Sequence, residues 1–377
     1  MVSKAQSRQD PAYDKFMKEQ EIPVVEGWYV RQVRDLELKP WKRLGGKGTF
    51  VQLHGQEYLT GIYVVEIPQG EALHREKHLY EEQYFIVEGA GSTEVWTYDG
   101  RRQSFSWQKG ALFGIPLNAQ HRLINEGSDP VLAVASTSAP LVMDLFHDSI
   151  FIFESDYQFT SRYDGRPDYF QTREVVTASS DAHGGRREFL DCNFIPDVQQ
   201  VLLHDQFTKG GSYRVMSYNL VENVLSGHIA RWAPGQYVKA HAHGGGAVLM
   251  PLQGKGYSLM WPPVAGLRPY ESGNVHKVVR VEWEDGSLFS PPTAWWHQHM
   301  CISKEDVLVV ALRYGDAKHP VGFFQAGAGE GSASLSMVSI REGGTMIDFD
   351  LEDPHIRREF KAVLQAEGTP YGMSPED

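Results

Sequence analysis

EKHLYEEQYFIVEG at 76–89 and HAHGGGAVLMPLQG at 241–254 line up position for position, and so do GALFGIPLNAQHRLIN at 110–125 and GSLFSPPTAWWHQHMC at 286–301. His78 to His243 and Gly89 to Gly254 are both 165 residues apart; Gly110 to Gly286, Pro116 to Pro292 and His121 to His297 are all 176 apart. The register holds within each pair of stretches, and the difference of 11 is an insertion between them, which the loop-forming VAGLRPYESGN at 264–274 can hold. Fixed offsets at this many positions indicate a duplicated unit.

The repeated unit reads as β. Segments 58–67, 82–89, 92–98, 132–137, 257–261, 276–283 and 307–314 are rich in β-branched and aromatic residues and are separated by Gly, Pro, Asn and Asp. Short strands with regular turn punctuation predict an all-β sandwich or barrel. Helical signals are few. One is 11–20, after Asp10. The stronger is 353–368, with an Asp-Pro start, apolar Ile356, Phe360, Val363 and Leu364, and a closing Gly368. The tail after Gly368 reads as frayed, and the glycine-rich run at 326–335 as a flexible loop. The chain divides into an N-terminal domain with its extension at 1–140, a connecting segment at 141–210, a C-terminal domain at 211–325 and a C-terminal extension with a helix at 326–377.

At 377 residues the chain exceeds one ordinary core, in keeping with two domains. Its 36 basic residues against 48 acidic, net −12, and the lack of a long basic run argue against nucleic acid as the main partner. Two cysteines, Cys192 and Cys301, build no disulfide framework, so a reducing, cytoplasmic setting is expected. The first residues contain no signal-type apolar stretch, and no apolar run reaches the roughly 20 residues of a membrane span, so no membrane role is expected.

The chemistry concentrates on His241, His243 and His297. Two histidines two apart on a strand point the same way. A third on a neighbouring strand completes a facial set of neutral imidazoles that suits Fe(II), Mn, Ni, Cu or Zn with open positions for substrate. His299, two beyond His297, is a candidate acid–base group or alternate ligand. Arg231 and Arg313, on strands beside the site, are candidates for binding a substrate carboxylate. Trp232, Trp261, Trp295, Trp296 and Tyr257 flank the ligand strands and are candidate pocket walls. The earlier copy offers Glu76, His78, Glu82 and His121, two histidines and two carboxylates, with His74 as a substitute for Glu76. The reading preferred there is a structural domain whose polar groups hydrogen-bond locally. No nucleophilic Ser or Cys constellation and no phosphate-loop pattern is present.

These half-motifs resemble the two motifs of the cupin superfamily in its two-domain, bicupin arrangement. The first motif runs Gly235, His241, His243, Ala247 in place of Glu, and Gly254, matched earlier by Gly70, Glu76 in place of His, His78, Glu82 and Gly89. The second runs Gly286, Pro292, Ala294 in place of Gly, His297 and Cys301 in place of Asn, matched by Gly110, Pro116, Asn118 in place of Gly, His121 and Asn125. The resemblance spans roughly 55–140 and 215–320 and implies two conical β-barrels of jelly-roll type, with the metal inside. A three-histidine set without carboxylate is similar to gentisate- and salicylate-type ring-cleaving dioxygenases. It implies an Fe(II) enzyme that inserts O2 into a hydroxylated aromatic or small organic acid. Gentisate dioxygenases keep iron in the N-terminal cupin, whereas this chain keeps its histidines in the second. The alternatives are a non-redox Mn or Zn cupin (decarboxylase, isomerase or aminohydrolase; Ni is a further candidate metal) and a non-catalytic binding or storage cupin. The expected partners are a small-molecule substrate, O2 and further copies of the chain in a homo-oligomer.

Overall fold

The computed structural model describes residues 10–178, 187–206, 208–315, 318–319 and 335–374. All but the last residue of the glycine-rich run at 326–335 and most of the SSDAHGGRRE stretch at 179–188 lie outside them. The architecture is β, with four α-helices among the described residues: α1 (Ala12–Glu19), α2 (Ala139–Phe146), α3 (Ser149–Glu154) and α4 (Pro354–Glu367).

Each half is a pair of sheets. In the first, an eight-stranded sheet faces a three-stranded one made of His121–Asn125, Ala90–Trp96 and Arg102–Gln108; in the second, a nine-stranded sheet faces one made of Val279–Glu284, Lys255–Trp261 and Trp296–Cys301. The halves follow the same plan. The connection at 97–101 in the first half corresponds to the longer 262–278 in the second, which is where the insertion was expected. The sheets stay separate rather than closing into cones. The first ligand segment, rich in glycine after His243, joins its neighbour through isolated bridges, Glu76 to His121 in one half and His241 to His297 in the other.

The halves interlock. Tyr29–Val30, from the N-terminal extension, pairs with Leu288–Phe289 of the second half, while Phe194–Ile195, from the connecting segment, pairs with Phe113 and Leu112 of the first. One apolar cluster accordingly mixes both halves, with Val51, Val64 and Val134 beside Ile229, Val248 and Val310.

The motif's positive-φ positions are kept in both copies. Gly89 and Gly254 have φ of 88° and 81°. The repeat-equivalent Asn118 and Ala294 have φ of 57° and 58°, so a left-handed backbone is imposed there even without glycine.

α1 and α4 fall where the sequence placed them. α4 is capped by Asp353, whose Oδ1 accepts from the His355 N–H at 3.0 Å, and ends at Gly368 with φ 66°. Its Ile356, Phe360 and Leu364 bury against Tyr257, Trp261 and Trp296 on the outer face of the ligand sheet. α2 and α3 were not anticipated within the connecting segment. The tail is docked rather than frayed: Thr369 Oγ1 donates to Ile302 O and Gly372 N–H to Gly235 O.

Candidate metal centre

His297 and His299 sit two apart on Trp296–Cys301, so both turn into the second half's interior while Trp296 and Met300 turn outward beneath α4. His241 is set against His297 by two backbone hydrogen bonds, His241 N–H to His297 O at 3.0 Å and the return bond at 2.9 Å. On its other side residues 345–347 act as a splint: Ala242 N–H donates to Thr345 O and Ile347 N–H to Ala240 O. The carbonyl of His243 is pinned by the Ala294 N–H at 2.9 Å. The three rings converge, with centroids 4.4 to 5.6 Å apart and ligand atoms within 4.8 Å of one another.

The tautomers follow from the carbonyls. Nδ1 of His241 lies 2.9 Å from Lys239 O, that of His243 2.6 Å from Gly244 O, and that of His297 3.0 Å from Trp295 O. A carbonyl only accepts, so each Nδ1 carries the proton and each Nε2 presents its lone pair inward. Nε2 of His243 and of His297 then face each other at 3.2 Å, two acceptors in contact. Burial holds His297 down to about 3, and burial, with neighbouring cations and rings, holds His241 and His243 well below the usual imidazole range. Neutral imidazoles with converging lone pairs and backbone-oriented Nδ1–H groups are the donor set a divalent cation takes.

A cavity of about 60 Å³ opens on these rings, lined also by Lys209, Tyr213, His228, Trp232, His299 and Arg313. No acidic side chain is among its described lining residues. His299 is buried, stacks on Trp232 at 5.0 Å, and has Nδ1 2.7 Å from Ser258 Oγ. Trp283 Nε1–H donates to that same Oγ at 2.9 Å. A buried hydroxyl needs an acceptor for its own proton, and His299 Nδ1 supplies it. His299 therefore carries its proton on Nε2, opposite to the three convergent imidazoles.

Several sequence candidates fall elsewhere. Arg231 alternates away from His228, Ala230 and Trp232 on Leu225–Trp232 and does not line the cavity; Arg313 does. Of the five aromatics, Trp232 alone lines it. Tyr257, Trp261 and Trp296 lie on the opposite face of their strands, covered by α4, and Trp295 packs on Trp28 at 5.6 Å. His228 was missed, although the repeat points to it: 165 residues earlier stands Tyr63, which touches the first half's cluster. Lys209 and Tyr213 had no sequence signal.

The first half brings Glu76, His78, Glu82 and His121 together, again within 4.8 Å. His74 stays out, exposed and bonded to Arg43 O. Glu82 Oε2 lies 3.3 Å from His78 Nε2 and 3.2 Å from His121 Nε2, while Oε1 accepts from Tyr63 at 2.7 Å. Arg43 pairs with Glu76 at 2.6 Å. Burial would raise the Glu82 carboxyl, but the His78 and His121 imidazoles outweigh it and hold it well below its usual range. The donors there also fit a cation. What differs is the pairing: the first half's carboxylates are already taken by its own histidines, Tyr63 and Arg43, whereas the second half's cavity has no acid among its described lining residues.

No protein-family model and no curated protein matches the chain. Solved structures do match in overall course. A variant of Bacillus subtilis oxalate decarboxylase aligns at 12% identity over 84% of this chain and 87% of its own, TM-score 0.47. The Lactobacillus farciminis oxalate decarboxylase formate complex aligns at 12% over 78% and 86%, TM-score 0.48. These are distant likenesses.

Proposed function

We propose that the second half holds a divalent metal through Nε2 of His241, His243 and His297, and that the centre cleaves a small carboxylic acid without redox chemistry, by decarboxylation. Mn(II) or Zn(II) suits the role, and the metal supplies Lewis-acid polarisation of the bound acid. The observation that carries this reading is the cavity: small, positively lined, and bordered by His299, whose proton sits on Nε2. About 60 Å³ falls well short of the roughly 150 Å³ that accommodates benzene, so the expectation of a hydroxylated aromatic substrate gives way to an acid of a few carbons.

The residues divide the work. Arg313 lines the space a carboxylate would enter. When the bond to the departing CO2 breaks, its electron pair stays on carbon, the proton that carbon needs comes from Nε2 of His299, and the imidazolate left behind regains a proton from solvent water once the product leaves. Ser258, fixed by Trp283, holds the ring in the tautomer that has that proton to give. Trp232 stacks over the same ring and keeps it in plane.

A second reading, Fe(II)-dependent oxygenation of a small acid, draws on Ala247: without a carboxylate ligand, a ferrous ion keeps its full charge and open positions for both acid and O2. Protein loaded with Mn(II) under argon and offered carboxylic acids of two to four carbons distinguishes the two. CO2 release without oxygen, lost in His297→Ala, is the expected result. Turnover that appears only with Fe(II) and O2 replaces the first reading with the second.

A further inference from the structure

Both halves set a cation against the first ligand position, at nearly the same distance along the chain. In the first, the Arg43 guanidinium meets the Glu76 carboxylate at 2.6 Å. In the second, Lys209 Nζ meets Nε2 of His241 at 2.9 Å. Because His241 Nδ1 donates to Lys239 O, its Nε2 is the acceptor and the ammonium donates. The placement is built into the backbone: Lys239 N–H donates to Lys209 O at 2.8 Å, so one residue orients both the lysine and the imidazole it touches.

The chemical partners differ. Arg43 meets an anion; Lys209 meets a neutral ring, in a cavity whose described lining includes Arg313 and no acid. Nε2 of His241 is also the atom a metal requires. With a divalent cation on the three Nε2 atoms, that lone pair is no longer available to Nζ, and two more positive charges enter a poorly solvated space. Such a space stabilises an anionic occupant.

We propose that Lys209 is a specificity-determining anchor. On metal loading its ammonium turns from His241 to a carboxylate oxygen of the bound acid, and it thereby selects ionised acids over neutral molecules of the same shape. The proposal rests on the metal-centre reading above.

Co(II)-loaded protein, titrated with glycolate and with its neutral isostere glycolamide and followed by visible absorption of the metal, tests it. Wild-type protein should prefer glycolate. Lys209→Met should bind Co(II) at least as tightly, since a competitor for His241 is gone, yet weaken glycolate by about tenfold to a hundredfold while leaving glycolamide unchanged. Lys209→Arg should recover part of the preference. Lys209→Met that takes Co(II) and still prefers glycolate as wild type does overturns the anchor alone. Wild-type protein that takes no Co(II) overturns the metal centre and the anchor with it.

Discussion

The two halves build opposite interiors on one scaffold. In the first, Glu76 and Glu82 are surrounded by His78, His121, Arg43 and Tyr63, and the charges close among themselves. In the second, the matching positions are His241 and Ala247, the carboxylates are gone, and a positively lined cavity of about 60 Å³ takes their place. The second sphere diverges in parallel. Trp107 donates to Thr93 in the first half as Trp283 donates to Ser258 in the second, both at 2.9 Å, but where His299 stands on Ser258 the first half has Leu123. The scaffold therefore does not require His299. Its presence in only the second copy is what the proposed proton-donor role predicts, and a few substitutions separate a self-satisfied polar core from an open cavity.

The comparison breaks first if His243→Ala or His297→Ala still binds metal in the second half: equilibrium dialysis should show affinity lower by more than about a hundredfold. Next, His299→Leu copies the first half into the second. Metal binding should persist while turnover of the small acid falls by about a hundredfold or more, the usual range for loss of a proton donor. Turnover unchanged in that variant removes His299 from the mechanism.

In the closed half the expected readout is stability. Glu82→Ala leaves two buried imidazoles and the Tyr63 hydroxyl without their shared partner, and chemical denaturation should show a loss of about 3 kcal/mol with metal binding in the second half intact. Ala247→Glu moves the open half toward the closed one. The added carboxylate should tighten metal binding and weaken acid binding about tenfold, because it supplies the anion the cavity otherwise takes from substrate. The smallest effect is at Ala294, an exposed non-glycine residue at φ 58°. Ala294→Gly should stabilise the protein by about 1 kcal/mol with metal binding unchanged.

What the chain reveals by itself tracks the range of the forces involved. Strand and helix positions follow local periodicity, and the offsets of 165 and 176 expose the duplication, so the β architecture, α1, α4 and both ligand clusters were legible. The pocket walls were not. Trp261 and Trp296 look like lining residues until α4, remote in sequence, is seen covering their face. Residues 345–347, which brace His241, and Lys209, which caps it, come from segments outside the repeat, where tertiary contacts decide and no period carries the information. His228 is the exception, since it lies one offset of 165 from Tyr63.

The most direct test is anomalous diffraction from crystals saturated with Mn(II) or Co(II). The account predicts an ion in the second half, about 2.0 to 2.2 Å from Nε2 of His241, His243 and His297, with Lys209 Nζ displaced from His241. Saturated crystals with no anomalous peak among those three nitrogens, and with Nε2 of His243 and His297 still facing each other at 3.2 Å, would contradict it.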